Sequence, residues 1–303
     1  MATDSEVWSE RFTCILGAVR YSDLLYLALQ EDAVDPNTEP HFFPVTFDRG
    51  SLGSDMKIPW TPVGLTVCMK PLEQMICVGE DGEAFSLGSG SVAFESIHAH
   101  GLSPLDRGGP LRNVGTVGGC AYAVGMRRQV YQRKDVDGWH PIDEAIYSNS
   151  QEVVGFESID GFSDNEIYTV GWEGEIWCRR DDKWQKMDSP TNLILTDVCC
   201  GGDGIVYICG QLGTLLKGDG EAWTVIDTGI TENIWSIAWY GDRLYMATFS
   251  GLFALVDDRV ERVVFGDDKP LTFYHLSAAD GLLCSFGGKD VMTFDGNAWT
   301  RVV

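Results

Sequence analysis

The sequence predicts an all-β fold, and three observations support that prediction. Short apolar runs rich in β-branched and aromatic side chains are bounded by Gly, Asp and Ser, as β-strands are. These runs recur roughly every 40 residues along the chain, which is the period of a β-propeller blade. No long segment shows the periodicity of an amphipathic helix. We therefore expect a single β-propeller over residues 1–303, with seven four-stranded blades; six blades plus an N-terminal cap is the alternative count.

Each predicted blade follows one order of strands and turns. A short apolar strand ends in a tight glycine-containing turn, an alternating strand follows, and an acidic turn then leads into an outer strand. In the clearest copies that outer strand opens with Trp184, Trp223 or Trp299, where a large ring can cover the junction with a neighbouring blade. The predicted blades span approximately residues 8–60, 61–99, 110–145, 152–187, 192–227, 233–265 and 271–303.

The first predicted blade is the least regular. The runs FTCILGAVR, LLYLALQ and HFFPVTF are expected to supply three of its strands, and MKIPW (56–60) the fourth. Residues 15–30 also have helical propensity, but Asp23 interrupts them and their second half can equally form a strand. The polar, proline-containing segment 30–40 is expected to form a loop.

The glycine turns and the D-G-x-x-W turns resemble those of a known superfamily. They are clearest in segments 170–184, 209–223 and 285–299, where the sequence resembles β-propellers, above all bacterial propellers with G-x-x-G and D-G-x-x-W turns. The turns are also distantly similar to the Asp-box of sialidase-type propellers, although the leading Ser of that motif is absent from every copy. The resemblance covers residues 61–303 well and 1–60 weakly. It implies the fold and leaves the function open.

The charge balance narrows the range of partners. The chain has 22 Lys and Arg against 45 Asp and Glu, which gives a net charge of −23. Such a chain repels nucleic-acid phosphates and anionic membranes, because affinity for both comes from basic side chains. We expect a basic protein partner and neither nucleic-acid nor membrane binding. Solubility alone is the alternative reason for the charge.

The N-terminal segment and the cysteines predict a cytoplasmic protein. Asp4, Glu6 and Glu10 stand where a signal peptide would carry basic residues. The nine cysteines are scattered, odd in number and mostly inside apolar runs, as expected of reduced core residues.

No set of residues has the spacing of a catalytic or metal site. His98 and His100 could share a metal if they lay on one strand, but a solvated loop before Gly101 is the favoured interpretation. A sialidase-like enzyme would need arginines from separate blades, whereas the main group falls in one or two neighbouring blades: Arg107, Arg112, Arg127 and Arg128. We therefore expect no catalytic residue, no metal and no cofactor.

The turns after the repeated apolar strands form the predicted binding surface, because loops on a rigid core are suited to recognition. The partner-binding residues predicted there are Glu80, Asp81, Arg127, Trp172, Glu173 and Phe249. Trp172 is either an exposed hot spot for a basic partner or packed on the turn of a neighbouring blade.

Charge and scaffold together lead to one functional expectation. We expect a non-catalytic protein-binding propeller, most concretely an acidic inhibitor of the immunity type that neutralises a basic effector such as a toxin. Two alternatives stay open: a scaffold subunit of a larger complex, and a glycan-binding propeller of the sialidase or lectin type.

Overall fold

Seven antiparallel sheets make up the fold. The computed structural model describes residues 8–53, 56–150 and 152–302. Within them lie seven four-stranded sheets, and the four strands of each sheet follow one another both in the chain and in the sheet. The prediction of an all-β propeller with seven blades is confirmed, and the alternative of six blades plus a cap is wrong. None of the helical turns in these ranges is long and apolar enough to cross a membrane.

The strands are short and are numbered in chain order. The first two sheets comprise β1 (Phe12–Tyr21), β2 (Leu24–Glu31), β3 (Phe43–Asp48), β4 (Ser51–Gly53), β5 (Pro62–Cys68), β6 (Gln74–Gly79), β7 (Glu83–Gly88) and β8 (Ser91–Ser96). The third and fourth comprise β9 (Leu111–Val117), β10 (Cys120–Gly125), β11 (Gln129–Asp135), β12 (Gly138–Pro141), β13 (Phe156–Ser163), β14 (Glu166–Gly171), β15 (Ile176–Arg180) and β16 (Lys183–Met187). The last three comprise β17 (Leu195–Cys200), β18 (Val206–Gly210), β19 (Leu215–Gly218), β20 (Trp223–Val225), β21 (Ser236–Tyr240), β22 (Arg243–Ala247), β23 (Leu252–Val256), β24 (Arg259–Arg262), β25 (His275–Ala279), β26 (Leu282–Phe286), β27 (Val291–Phe294) and β28 (Trp299–Arg301).

Residues 15–30 are extended rather than helical. They form most of β1 and β2, which pair antiparallel around a turn at Ser22 and Asp23. The whole run from Leu25 to Leu29 is buried, which is the continuous apolar pattern of a strand covered on both faces.

The fourth strand of the first sheet differs from the prediction. It is Ser51–Gly53, because a two-residue turn with positive φ at Arg49 (47°) and Gly50 (83°) reverses the chain earlier than expected. The predicted MKIPW strand is wrong. In that segment Ile58 is fully buried and forms only an isolated antiparallel bridge, with Phe42.

The chain divides into two units by its backbone contacts. Unit 1 combines the residues up to Pro62 with Glu232–Val303, and unit 2 is Val63–Thr231. Unit 1 therefore holds the first, sixth and seventh sheets, and unit 2 holds the second to fifth. Within each unit, apolar clusters fill the space between neighbouring sheets, so the core is layered between blades.

The outer-strand tryptophans lie at these junctions, as predicted. In unit 2, Trp184 packs on side chains of the third and fourth sheets and donates its indole N–H to the Ile142 carbonyl at 2.8 Å. In unit 1, the Trp299 ring lies 4.7 Å from that of Phe265 and 5.0 Å from that of Phe294, centroid to centroid. Each ring thereby covers apolar surface that its short strand would leave exposed.

The first and last sheets lie side by side within unit 1 and share no strand. The Cys14 amide donates to the Gly288 carbonyl at 2.9 Å, and the Val19 amide donates to Oγ of Ser277 at 3.1 Å. Phe286 lies directly over Gly17, where a Cβ would come within 2.2 Å of the Phe286 ring. The two sheets are therefore joined by close packing, which the missing side chain at residue 17 permits.

Candidate protein-binding site

The six residues predicted to bind a partner all lie between the second and third strands of a sheet. These segments, called here the 2–3 turns, place Glu80 and Asp81 after β6, Arg127 after β10, Trp172 and Glu173 after β14, and Phe249 after β22. The first five belong to unit 2 and the last to unit 1. Among the described residues of unit 2, no hydrogen bond or ion pair joins two of these five side chains. Each turn must therefore be judged by its own surroundings.

Asp81 is hydrogen-bonded to the loop of unit 2 that contains Ser103 and Leu105. Its Oδ1 accepts a hydrogen bond from the Ser103 hydroxyl at 2.5 Å and from the Leu105 amide at 3.3 Å. Glu80, directly before it, is exposed. The Asp81 carboxylate thus orders the chain around it, while the Glu80 carboxylate faces solvent.

Arg127 is likewise engaged within unit 2. Its guanidinium donates to the carbonyls of Gly108, at 3.3 Å, and Ser150. Its backbone amide donates to the Val154 carbonyl at 2.8 Å, and its φ is +63°. The residue therefore ties two connecting loops to the turn that carries it.

Trp172 opens a 3-10 turn in which Glu173 has a φ of +57° and is exposed. The indole is half-buried and donates to Oε1 of Glu157 at 2.5 Å. Glu157 also accepts from Nε of Arg112, at 3.0 and 3.1 Å. The hydrogen-bond partner of the ring thus lies on β13 of its own sheet, and the ring forms part of a network of three side chains.

A buried carboxylate beside this turn was not predicted. Glu175 is 3% exposed and accepts from Nε and Nη2 of Arg128 at 2.7 and 2.8 Å, and from Lys186 at 2.6 Å. Burial raises the pKa of Glu175, but the bonds from Arg128 and Lys186 outweigh it and hold that pKa below its usual value. Glu175 therefore stays ionised and compensates the charge of Arg128.

Phe249 differs from the other five because its side chain is apolar and 58% exposed. Its ring stacks on Tyr274, with centroids 5.4 Å apart and planes 13° apart, and lies 5.2 Å from Trp235. The Trp235 and Tyr274 centroids are 5.9 Å apart. These three residues of unit 1 are called the aromatic platform.

Sequence reasoning missed two members of the platform. Trp235 directly precedes β21, and Tyr274 directly precedes β25. Aromatic residues just before the first strand of two consecutive blades were the available signal. In unit 2, the corresponding residue before β13 is Gly155, so a large ring at this point is not required by the repeat.

The histidines and arginines singled out in the sequence do not come together in the described part of the chain. The described part of the chain contains no group of three or more potential metal ligands. His98 and His100 are both exposed. The arginines bind separate carboxylates: Arg107 with Asp143, Arg112 with Glu157, and Arg128 with Glu175. No specific observation therefore favours a sialidase-like pocket.

Comparisons with known proteins first show the fold. The chain is similar to YCF48 in its complex with a D1 peptide (TM-score 0.66, 14% identity, 95% of this chain and 94% of that one). It is also similar to the WD40 β-propeller domain of Doa1 (TM-score 0.63, 9% identity, 96% of each chain). No family model matches the chain.

A sequence relative goes further than the solved structures. The immune protein Tsi7 of Pseudomonas aeruginosa is 42% identical to this chain over 298 residues, which cover 96% of this chain and 97% of Tsi7. Such identity, extending over nearly all of both chains, includes every blade of the propeller. The chain therefore belongs to the family of the immune protein Tsi7.

Proposed function

We propose that this protein is an immunity protein that binds a toxin and neutralises it without catalysing a reaction. The observation that carries the proposal is the 42% identity to an immune protein over nearly the whole length of both chains. A propeller suits this task, because its short strands form a rigid base and its turns supply a large recognition surface.

The toxin is proposed to be basic. The net charge of −23 gives a long-range field that speeds encounter with a positively charged protein and disfavours acidic competitors. Several ionised groups in unit 2 are already compensated internally, as Glu175 is by Arg128 and Lys186. The carboxylates of Glu80 and Glu173 are exposed instead, so they are available to a partner.

We further propose that the protein acts in the cytoplasm. All nine cysteines are free thiols, and seven of them are buried. Burial raises the pKa of the Cys77, Cys209 and Cys284 thiols well above the ordinary value, which keeps them protonated and unreactive. Free thiols in this number suit a reducing compartment.

Capture followed by a protection assay tests the proposal. The purified protein is immobilised and used at low salt to capture proteins that bind it from a lysate of the source organism. Each captured protein is then expressed in a heterologous host, once alone and once together with this chain. We expect one retained basic protein to arrest growth alone and to be harmless when this chain is present. The proposal is overturned if no retained protein is toxic, or if toxicity persists on co-expression.

Titration separates neutralisation by binding from catalysis. If the protein inhibits by occupying the toxin, inhibition of the purified toxin should become complete only when the protein reaches a concentration equal to that of the toxin. Full inhibition at a small fraction of the toxin concentration would contradict the non-catalytic mechanism. The dissociation constant is expected to rise with ionic strength, since charge attraction supplies part of the affinity.

A further inference from the structure

The aromatic platform presents one exposed ring, Phe249, packed on two half-buried rings. Phe249 is 58% exposed while its ring stacks at 5.4 Å on Tyr274 and lies 5.2 Å from Trp235. Exposed aromatic clusters of this kind mark interaction sites, because soluble proteins rarely leave stacked rings open to water without a use. Aromatic rings also lose little conformational entropy when a partner covers them.

The segment leading into Tyr274 is also fixed at its backbone. The amides of Leu271 and Thr272 both donate to Oδ2 of Asp290, at 3.1 and 2.9 Å, and the Thr272 hydroxyl donates to the same atom at 2.7 Å. Asp290 is only 7% exposed and is bound by Arg301 at 2.5 Å. These bonds hold the chain while the Leu271 side chain remains 84% exposed.

This arrangement lowers the cost of binding. A partner that covers Leu271 does not have to order the backbone around it, because Asp290 has done so already. Leu271 therefore presents an exposed apolar side chain on a backbone that Asp290 already holds. Its position three residues before Tyr274 assigns it to the same connecting segment as the platform.

A carboxylate is hydrogen-bonded to the residue that follows Phe249. Oε1 of Glu232 accepts a hydrogen bond from the hydroxyl of Ser250, the residue directly after Phe249. Both Glu232 and Ser250 are exposed. A cationic side chain of a partner that lies over an exposed ring and also pairs with a carboxylate gains from both contacts.

We propose that a basic toxin docks on unit 1 by placing an arginine over the Phe249 ring with Glu232 as its counter-ion, and by covering Leu271 of the segment before Tyr274 as a further apolar contact. This inference rests on the proposed function and adds to it the surface and the chemistry of the contact. A guanidinium fits better than an ammonium, because its flat face stacks on a ring while its edge bonds a carboxylate.

The unit 2 residue Phe94 provides a matched control. It is also 58% exposed, and its ring lies 5.4 Å from that of Phe85. The variants Phe249→Ala and Phe94→Ala therefore remove the same side chain at equal exposure and from an equally close ring contact. A general loss of exposed apolar surface would affect both alike.

The test measures the dissociation constant of the purified complex with the toxic protein recovered in the protection assay. We expect Phe249→Ala to weaken binding by about 30-fold or more, as for an interface hot spot, and Phe94→Ala to change it by less than about twofold. Phe249→Trp should retain binding, because it keeps a ring for the cation. Glu232→Gln should weaken binding and reduce its dependence on salt.

The outcomes distinguish the two proposals. If the unmodified protein gives no protection against any retained protein, the proposed function fails. If it protects and Phe249→Ala binds as tightly as the unmodified protein, only the docking surface is overturned. Equal weakening by Phe249→Ala and Phe94→Ala would also overturn it. Circular dichroism and the melting temperature of each variant show whether it has kept its fold.

Discussion

The predicted site residues of the two units use their side chains in different ways. In unit 2, Asp81, Arg127 and Trp172 all make hydrogen bonds within the unit. In unit 1, Phe249 makes ring contacts and keeps more than half of its surface exposed. A polar residue in an exposed turn is therefore weak support for binding until its hydrogen-bond partners are known. An exposed aromatic ring, in contrast, leaves apolar surface in contact with water, and a partner that covers the ring removes that cost.

The same contrast extends to what joins neighbouring sheets. In unit 2, the buried pair of Arg133 and Glu95 has side chains 0% and 1% exposed. In unit 1, the connection between the sixth and seventh sheets is packed with rings, including Phe265 and Phe273, whose centroids are 5.6 Å apart. Removing one partner of this pair should therefore act through charge, and removing a ring of this cluster should act through packing.

The largest expected effect comes from breaking the buried ion pair of unit 2. Glu95 accepts from Arg133 at 2.6 and 2.8 Å and from the Trp139 indole at 3.0 Å. Arg133→Leu leaves Glu95 charged and buried, so the free energy of unfolding in urea should fall by about 3–5 kcal/mol. The double variant Arg133→Leu/Glu95→Gln should recover a large part of that loss. A single variant as stable as the unmodified protein would contradict the assignment.

The next effect depends on pH and concerns Asp160 of β13. Its carboxylate accepts from the amides of Cys200 at 2.7 Å and Gly161 at 2.8 Å. Burial, with a smaller contribution from the nearby Asp197 carboxylate, raises the pKa of Asp160 to about 7 despite these bonds. In the unfolded chain the pKa of an aspartate is about 3.9.

The sign of the effect follows from these two pKa values. Between about pH 4 and 7 the folded state holds a proton that the unfolded state has lost, so stability falls as pH rises, by up to about 1.4 kcal/mol per pH unit. Asp160→Asn removes this loss. Relative to the unmodified protein, the variant should therefore gain about 2.6 kcal/mol of unfolding free energy between pH 5 and pH 8. An equal difference at the two pH values would refute the raised pKa.

In unit 1, the effect of a core substitution on the unfolding free energy should be the same at pH 5 and pH 8. Phe265 is 9% exposed and packs 4.7 Å from Trp299 and 5.6 Å from Phe273. Phe265→Leu should lower the unfolding free energy by about 1–2 kcal/mol, through lost ring contacts and imperfect repacking. Because no titrating group is removed, the loss should be the same at pH 5 and pH 8. A strongly pH-dependent loss would undermine the contrast between the units.

The smallest expected effect concerns the network of Trp172. Glu157→Gln replaces a charged acceptor by a neutral one, and the cost should be about 1 kcal/mol. Weaker attachment should also expose the indole and shift its fluorescence to longer wavelength. Repeating the substitution in a Trp172→Phe background identifies the source. A shift that persists there would come from another tryptophan.

The repeat made the fold predictable, and the irregular first blade led to the wrong prediction of MKIPW as its fourth strand. Six blades are recognisable from an apolar strand, a glycine turn and an acidic turn, all of which are local sequence signals. The strand Ser51–Gly53 is only three residues long, and its residues are not apolar enough to compete with MKIPW. The position of Ile58 depends on a bridge to Phe42, a contact that local patterns do not encode.

The ion pairs that join neighbouring sheets were harder to foresee. Arg112 and Glu157 are 45 residues apart, Arg128 and Glu175 are 47 apart, and Arg133 and Glu95 are 38 apart. These separations in the sequence are close to the length of one blade, so an arginine one repeat away from a glutamate was a usable signal. Which pairs actually meet depends on the packing of adjacent sheets, and a single sequence does not reveal it.

The packing of Phe286 against Gly17 has a consequence for biosynthesis. The ribosome makes β1 among the first strands and β26 among the last, so the surface around Gly17 stays uncovered while almost the entire chain emerges. The sheets of unit 2 meet neighbours that are adjacent in the sequence and can pack as they are made. The nascent first sheet must instead remain soluble, or be shielded by a chaperone, until the last sheet arrives.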